Sequence, residues 1–333
     1  MRREHVSGAA SNLMADLTEL GGAGIAVTEL GRDAPPAAAT PGVVQVGVWR
    51  EGPVPGGALE PFDILLTADP GAPGPWVSAP GSGLDAIIAD LEAAVARQPV
   101  AAAVCAQVMR MTLSIPFEEA LALESIAYSM LLASAGFRAW RDANPPRDRA
   151  DDPGPRVAVD ADQVLAIRLT RPARRNAFDA RMRDELAEAL AFALEHPDRP
   201  PVVLSGEGPA FSAGGDLDEF GRAPDPGQAH LVRILRSPAR LAYELGDRLT
   251  ARLHGACVGA GIEVPAAAVR IAADPGAHFR LPEVGMGLIP GAGGTATIPR
   301  RIGRRRACYM AISGADIDLA TALAWGLVDE VAA

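Results

Sequence analysis

Apolar residues recur with two different periods along the chain. Leu84, Ile87, Ile88, Leu91 and Val95 follow helical spacing, as do Leu121, Ile126, Met130, Ala133 and Phe137 behind Pro116, which can open a helix. Two or three amphipathic helices are therefore expected across 83–143. Ahead of them, Val43–Trp49 and Phe62–Thr67 read as short strands, and the proline- and glycine-laden run from Asp69 to Gly83 reads as loop. Residues 1–42 carry GGAG and APPAAATPG with little periodicity, so 1–82 is expected to be an extension with short strands and a loose lead. NPPRDRADDPGPR (144–156) combines proline and charge without an apolar face and marks a linker.

Beyond the linker the pattern alternates. Strands are expected at Val164–Leu169, Val202–Leu204, Leu249–Leu253 and Ala268–Ala272. A helix is expected from Asp179 to Glu195, where Met182, Leu186 and Leu190 form one stripe behind an Asp179 N-cap. Glycine-rich turns interrupt the series at 206–215 and again after Leu253, and no usable pattern covers 221–240. Strands interleaved with helices imply an α/β layering.

Composition narrows the chemistry. The 333 residues are 49% hydrophobic and 22% charged, which is ordinary for a folded globular chain. The 41 acidic residues outnumber 31 basic ones for a net charge of −10, so no global basic field gathers nucleic acid. Every basic side chain apart from histidine is arginine. The absence of lysine removes Schiff-base chemistry and the lysine-dependent phosphate loop. Cys105, Cys257 and Cys308 have no disulfide or metal spacing, so no metal site is expected. With no apolar leader and no stretch of spanning length, a soluble protein of the reducing cytoplasm is expected, without a membrane partner.

Three stretches join strand to helix through glycine: PAFSAGGDLDEF (209–220), HGACVGAGIEV (254–264) and FRLPEVGMGLIPGAGGT (279–295). Backbone lacking a β-carbon can approach a ligand closely, and N–H groups opening a helix can face negative charge. Two such turns facing one another would make an oxyanion hole; taken alone, the spacing fits plain tight turns better. Glu263 and Glu283, 20 residues apart, each follow an apolar, glycine-bordered run. One ionised and one protonated carboxyl beside the same substrate could serve as base and acid, although solvated or salt-bridged glutamates would fit the same pattern.

In order and spacing, VLAIRLTRP with RRNAF, FSAGGDL, HGACVGAGIE, RLPEVGMGLIPGAGGT and ALAWGLVDEV resemble the crotonase (enoyl-CoA hydratase/isomerase) superfamily over about 157–333. The resemblance implies a spiral of ββα repeats, here with a helical N-terminal region, acting on acyl-coenzyme A thioesters as a homotrimer or dimer of trimers. It implies no cofactor beyond the coenzyme A carried by the substrate. Position by position, it makes the N–H groups of Gly215 and Ala260 the oxyanion donors. Glu263 would activate water and Glu283 would supply the α-carbon proton. Arg174, Ala177, Ala213 and Asp216 would contact coenzyme A. Retention of both glutamates implies an enoyl-CoA hydratase, a lyase; the alternatives are an arylacetyl-CoA dioxygenase or enoyl-CoA isomerase, or a non-catalytic coenzyme A-binding or assembly subunit.

The resemblance also implies helices after the core that cover the coenzyme A site, whereas this sequence ends at Ala333. Residues 83–143 resemble those helices. They are either a circularly permuted tail or an accessory domain like the one preceding the core in cofactor-free dihydroxyphenylacetyl-CoA dioxygenases. His254, His278 and Cys257 are read as structural, and RRIGRRR (300–306) as a solvated face that could reach the coenzyme's phosphates.

Overall fold

The computed structural model describes residues 24–57, 59–79, 83–147 and 153–332. The first strands, β1 (Ile25–Glu29), β2 (Val44–Trp49), β3 (Ile64–Thr67) and β4 (Val77–Ser78), form an all-parallel sheet in sequence order. β2 and β3 are mostly apolar, with Gln45 and Thr67 as buried polar exceptions, and are buried on both faces as parallel strands usually are. β1 lies inside the segment read as a loose lead, and β4 inside the stretch read as loop. β1 is half-buried along its length and β4 has two residues, so neither shows a readable period. The part of the lead before Gly24 lies outside the described residues.

Helices α1 (Gly83–Arg97), α2 (Pro99–Met111), α3 (Phe117–Leu132) and α4 (Ala135–Ala143) follow. Leu84, Leu91, Leu121 and Phe137 are buried as the spacing predicts, but Ile126 and Met130 are 56% and 54% exposed. α3 is apolar nearly all round, so periodicity does not choose its inner face. The buried face instead carries Leu121, Glu124 and Ser125. Among the described residues, no single helix is long and apolar enough to cross a membrane.

The remainder alternates β5 (Val157–Ala161), β6 (Leu165–Leu169), α5 (Ala180–Glu195), β7 (Val202–Gly206), α6 (Pro226–Leu235), α7 (Pro238–Leu245), β8 (Leu249–Leu253), β9 (Ala256–Val258), α8 (Ala260–Glu263), β10 (Arg270–Ala273), β11 (His278–Arg280), α9 (Gly294–Ile302), α10 (Arg304–Ser313), β12 (Ile317–Asp318), α11 (Leu319–Trp325) and β13 (Glu330–Val331). A six-stranded sheet runs β13-β10-β8-β7-β6-β5, parallel except for the β5–β6 pair. β12-β11-β9 make a second, smaller sheet. Twice a strand in the large sheet is followed by one in the small sheet and then a helix: β8-β9-α8 and β10-β11-α9. This is the expected ββα arrangement, and it brings the turns before α8 and α9 to one end of the core.

Asp179 caps α5 by accepting from Met182 N at 2.7 Å. Two helices, α6 and α7, occupy most of 221–240, where no pattern was legible. α6 buries no complete stripe, so only its caps signal it: Asp225 before Pro226, and Ser237 before Pro238 for α7.

The two halves share one apolar core, in which Val46, Leu66, Leu91 and Met109 join Leu281, Val284, Ile298 and Met310. The arginine run at 300–306 is not the solvated face expected. Arg304 Nη1 donates to Phe62 O at 3.0 Å, Arg305 Nε to the same oxygen at 3.2 Å, and Arg306 Nε to Trp76 O at 3.0 Å, fastening α10 to the first sheet. Arg156, at the end of the expected linker, is also buried, with Nε 3.1 Å from Asp179 Oδ2; residues 148–152 of that segment lie outside the described residues.

Candidate active site

The first two glycine turns are joined side by side. Ser212 N donates to Ala256 O at 3.1 Å and Val258 N to Ser212 O at 3.0 Å. A β-carbon at Gly214 would lie 2.8 Å from Val258 O, and one at Gly261 would lie 2.7 Å from Ser212 O, so only glycine allows the backbones this close. Buried Asn176 braces the first turn by donating to Glu207 O, Ala210 O and Phe211 O at 2.8–3.0 Å. Among the described residues, the N–H groups of Gly215 and Ala260 donate to no protein acceptor, and both residues line one cleft of about 230 Å³. The Ala260 N–H opens α8 and is one of the donors a helix start leaves free.

Both expected glutamates line the same cleft and are almost fully buried, at 2% exposure for Glu263 and 6% for Glu283. Their surroundings differ. Glu263 Oε2 accepts from Ala292 N at 2.7 Å and Gly294 N at 2.9 Å, in the turn before α9. Glu283 Oε2 is buried without a hydrogen-bond partner. A β-carbon at Gly259 would overlap Glu283 Oε1 and stand 3.7 Å from Glu263 Oε1, so both carboxyls flank the residue preceding the Ala260 donor. Burial raises both proton affinities: Glu263 goes up to about 7, held back by the N–H groups aimed at it. Glu283 goes well above the ordinary range, through burial first and the Glu263 charge second. The cleft therefore holds two neighbouring buried carboxyls whose surroundings raise both proton affinities and Glu283's more strongly.

A third buried carboxyl escaped the sequence reading. Glu124, on α3, also lines the cleft and is 2% exposed. Its Oε1 accepts from Gly293 N at 2.7 Å; its Oε2 accepts from Thr295 N and Thr295 Oγ1, each at 2.7 Å. Glu124 and Glu263 thus grip one turn by alternate amides, with Gly294 N going to Glu263 and its two neighbours to Glu124. Burial and then the Glu263 charge raise Glu124 to about 8. The spacing of α3 offered no clue, because the turn that supplies the donors lies 169 residues further along the chain.

Of the four positions expected to contact coenzyme A, Asp216 lines this cleft, and Arg174, Ala177 and Ala213 do not. Asp216 is committed to an ion pair, Oδ2 to Arg171 Nη1 at 3.1 Å. His254 Nε2 lies 2.9 Å from Gly208 O, His278 Nδ1 lies 2.9 Å from Asp316, and Cys257 is buried; none of the three lines the cleft.

Residues 160–333 match the family model described as enoyl-CoA hydratase/isomerase, just over half of the chain. The chain belongs to this family. Its relatives include the mevalonyl-coenzyme A hydratase SIDH of Beauveria bassiana, 34% identical over 176 residues, with 50% of this chain and 63% of that protein covered. The 2,3-dehydroadipyl-CoA hydratase of Escherichia coli is 33% identical over 174 residues, with 51% and 66% covered. The chain thus spans slightly under two thirds of these two relatives. Among solved structures, the enoyl-CoA hydratase of Thermoplasma volcanium has 33% identity and a TM-score of 0.49, covering 54% of this chain and 72% of that one. In this member of the enoyl-CoA hydratase/isomerase family, the matched segment contains Gly215, Ala260, Glu263 and Glu283, whereas Glu124 and Tyr128 come from helix α3 outside it.

Proposed function

We propose that the protein is an enoyl-CoA hydratase. The observation that carries this reading is the difference between the two buried glutamates around Gly259: Glu263 is addressed by backbone amides, and Glu283 has a partnerless Oε2. In the reaction, Glu263 takes a proton from water while the water oxygen bonds to the β-carbon of the enoyl group. The α-carbon takes the proton of Glu283. Negative charge that gathers on the thioester oxygen is received by the Gly215 and Ala260 N–H groups, fixed donors lining the cleft. Hydration consumes one water and leaves a 3-hydroxyacyl thioester, so the two carboxyls must exchange protonation states before the next turnover.

The same reading makes α1–α4 a lid that precedes the core in sequence. Its support is the grip of Glu124 on the α9 turn, the 2.8 Å bond from Thr112 Oγ1 to Thr295 O, and Arg300 Nη2 donating to Thr112 O and Ile115 O at 3.1 Å. A chain in which helices normally following the core come first is the circularly permuted arrangement.

The test is turnover of the purified protein on enoyl-CoA and arylacetyl-CoA thioesters, with and without oxygen, beside Glu263→Gln and Glu283→Gln. Hydration is expected, with kcat lowered by about 100-fold or more in each variant. Oxygen-dependent consumption, double-bond migration without hydration, or no turnover would each overturn the reading in favour of a dioxygenase, an isomerase or an idle subunit.

A further inference from the structure

Arg233, on α6, lines the cleft opposite in character to the glutamates. Its Nε donates to Ser125 Oγ at 3.0 Å, its Nη2 donates to Ser125 O at 3.3 Å and to Ser129 Oγ, and its guanidinium stacks on Tyr128 at 5.0 Å from the ring centre. Among the described residues, Nη1 has no acceptor and no carboxylate lies within 4.0 Å of the side chain. The other two cleft arginines differ: Arg183 pairs with Asp184 at 2.7 Å, and Arg236 with Asp184 at 3.1 Å and Glu188 at 3.8 Å. Burial weakens the hold of Arg233 on its proton, the Glu124 charge across the cleft opposes that without pairing with it, and the guanidinium stays charged. Tyr128 also lines the cleft, and its hydroxyl has no protein partner among the described residues.

A half-buried cation that no carboxylate touches gains from an anion placed in direct contact with it, which the more distant Glu124 does not provide. Here the cation sits in the wall that would hold substrate, held in place by two serines and a ring, with one nitrogen and a neighbouring phenol left open. Accepting the hydratase reading, we propose that Arg233 and Tyr128 form a subsite for a carboxylate on the acyl chain, making the substrate a coenzyme A thioester of an unsaturated dicarboxylic acid. Arg233 and Tyr128, on α6 and α3, line the same cleft as the turns at Gly215 and Ala260 that would hold the thioester oxygen.

Binding, rather than turnover, tests this, because it survives failure of the reaction reading. Calorimetry compares adipyl-CoA, which ends in a carboxylate, with hexanoyl-CoA of the same chain length. The wild-type protein is expected to bind adipyl-CoA about tenfold more tightly or better, the effect of one charge-assisted hydrogen bond. Arg233→Met should bring the two within about twofold, and Tyr128→Phe should give an intermediate ratio. Equal wild-type affinities overturn the proposal, and this arm stands even if Arg233→Met does not fold. So does a preference that Arg233→Met leaves intact, or an equal loss for both thioesters, which would assign Arg233 to a phosphate of coenzyme A. Retained preference with no hydration of any enoyl-CoA would remove the reaction and leave the subsite standing.

Discussion

Glu124→Gln separates what α3 does for the site from what it does for the fold. Above about pH 8, where Glu124 is ionised, its carboxylate receives one backbone N–H on each oxygen, Gly293 N on Oε1 and Thr295 N on Oε2. A glutamine has one acceptor atom and one donor group at those positions. Whichever way the amide turns, one buried N–H meets another N–H. Leaving a buried donor unpaired costs about 1–3 kcal/mol, and the surviving bond changes from charge-assisted to neutral. Release of a buried charge offsets part of that, so a net destabilisation of about 1–2 kcal/mol is expected. Gly294, whose N–H holds Glu263 at 2.9 Å, sits between the two residues that Glu124 pins. A turn freed at either side cannot keep both the Ala292 and Gly294 amides on Glu263, and kcat on the best enoyl thioester should fall by about tenfold, or 1.4 kcal/mol. Urea unfolding followed by circular dichroism at about pH 9, where Glu124 is ionised, and at matched protein concentration reads the first effect, and steady-state hydration at the same pH reads the second. A Glu124→Gln protein with wild-type kcat would refute the claim that α3 organises the site, whatever its stability.

Three further expectations follow from the same geometry. Gly215→Pro should abolish turnover, because it deletes a proposed oxyanion donor worth about 3–4 kcal/mol in comparable sites. Any side chain at 215 must also displace Phe220, whose Cζ would lie 2.5 Å from the new β-carbon; a folded, fully active variant would remove Gly215 from the oxyanion hole. Stability should fall as pH rises, since Glu263 and Glu124 bind protons more tightly folded than unfolded. What they contribute is complete below about 4.5 and is lost as pH passes about 7 and then about 8. Melting temperatures from pH 5 to 9 check the sign, and a rise across that range in the wild type, absent in Glu124→Leu, would contradict it. A fragment of residues 151–333 should be insoluble or inactive. It would expose the core face that α1–α3 cover and would lose Glu124, and a soluble, active oligomer seen by light scattering would show that the N-terminal half is dispensable.

Local chemistry was readable wherever neighbours in sequence sufficed for it. The Met182–Leu186–Leu190 stripe and Asp179 cap announced α5; β2 and β3 were evident because strands buried on both faces are mostly apolar, and β6 and β8 because their buried apolar residues alternate with more exposed ones. The glycines at 214, 259 and 261 could be read as close approaches because nothing larger is compatible with them, and ordered motifs around them pointed to Glu263 and Glu283. Partners distant along the chain were not readable. Met130 looks as buriable as Leu121 by spacing, and only the turn at 291–295, with spare N–H donors, selects the face of α3 that carries Glu124. Arg304–Arg306 resemble any charged run until the carbonyls of Phe62 and Trp76 are brought beside them. Arg233 becomes notable only because no carboxylate folds within reach of it. Periodicity reports how strongly a segment must hide one side from water. Which polar group is buried, and whether it finds a partner there, depends on contacts between segments far apart in the chain.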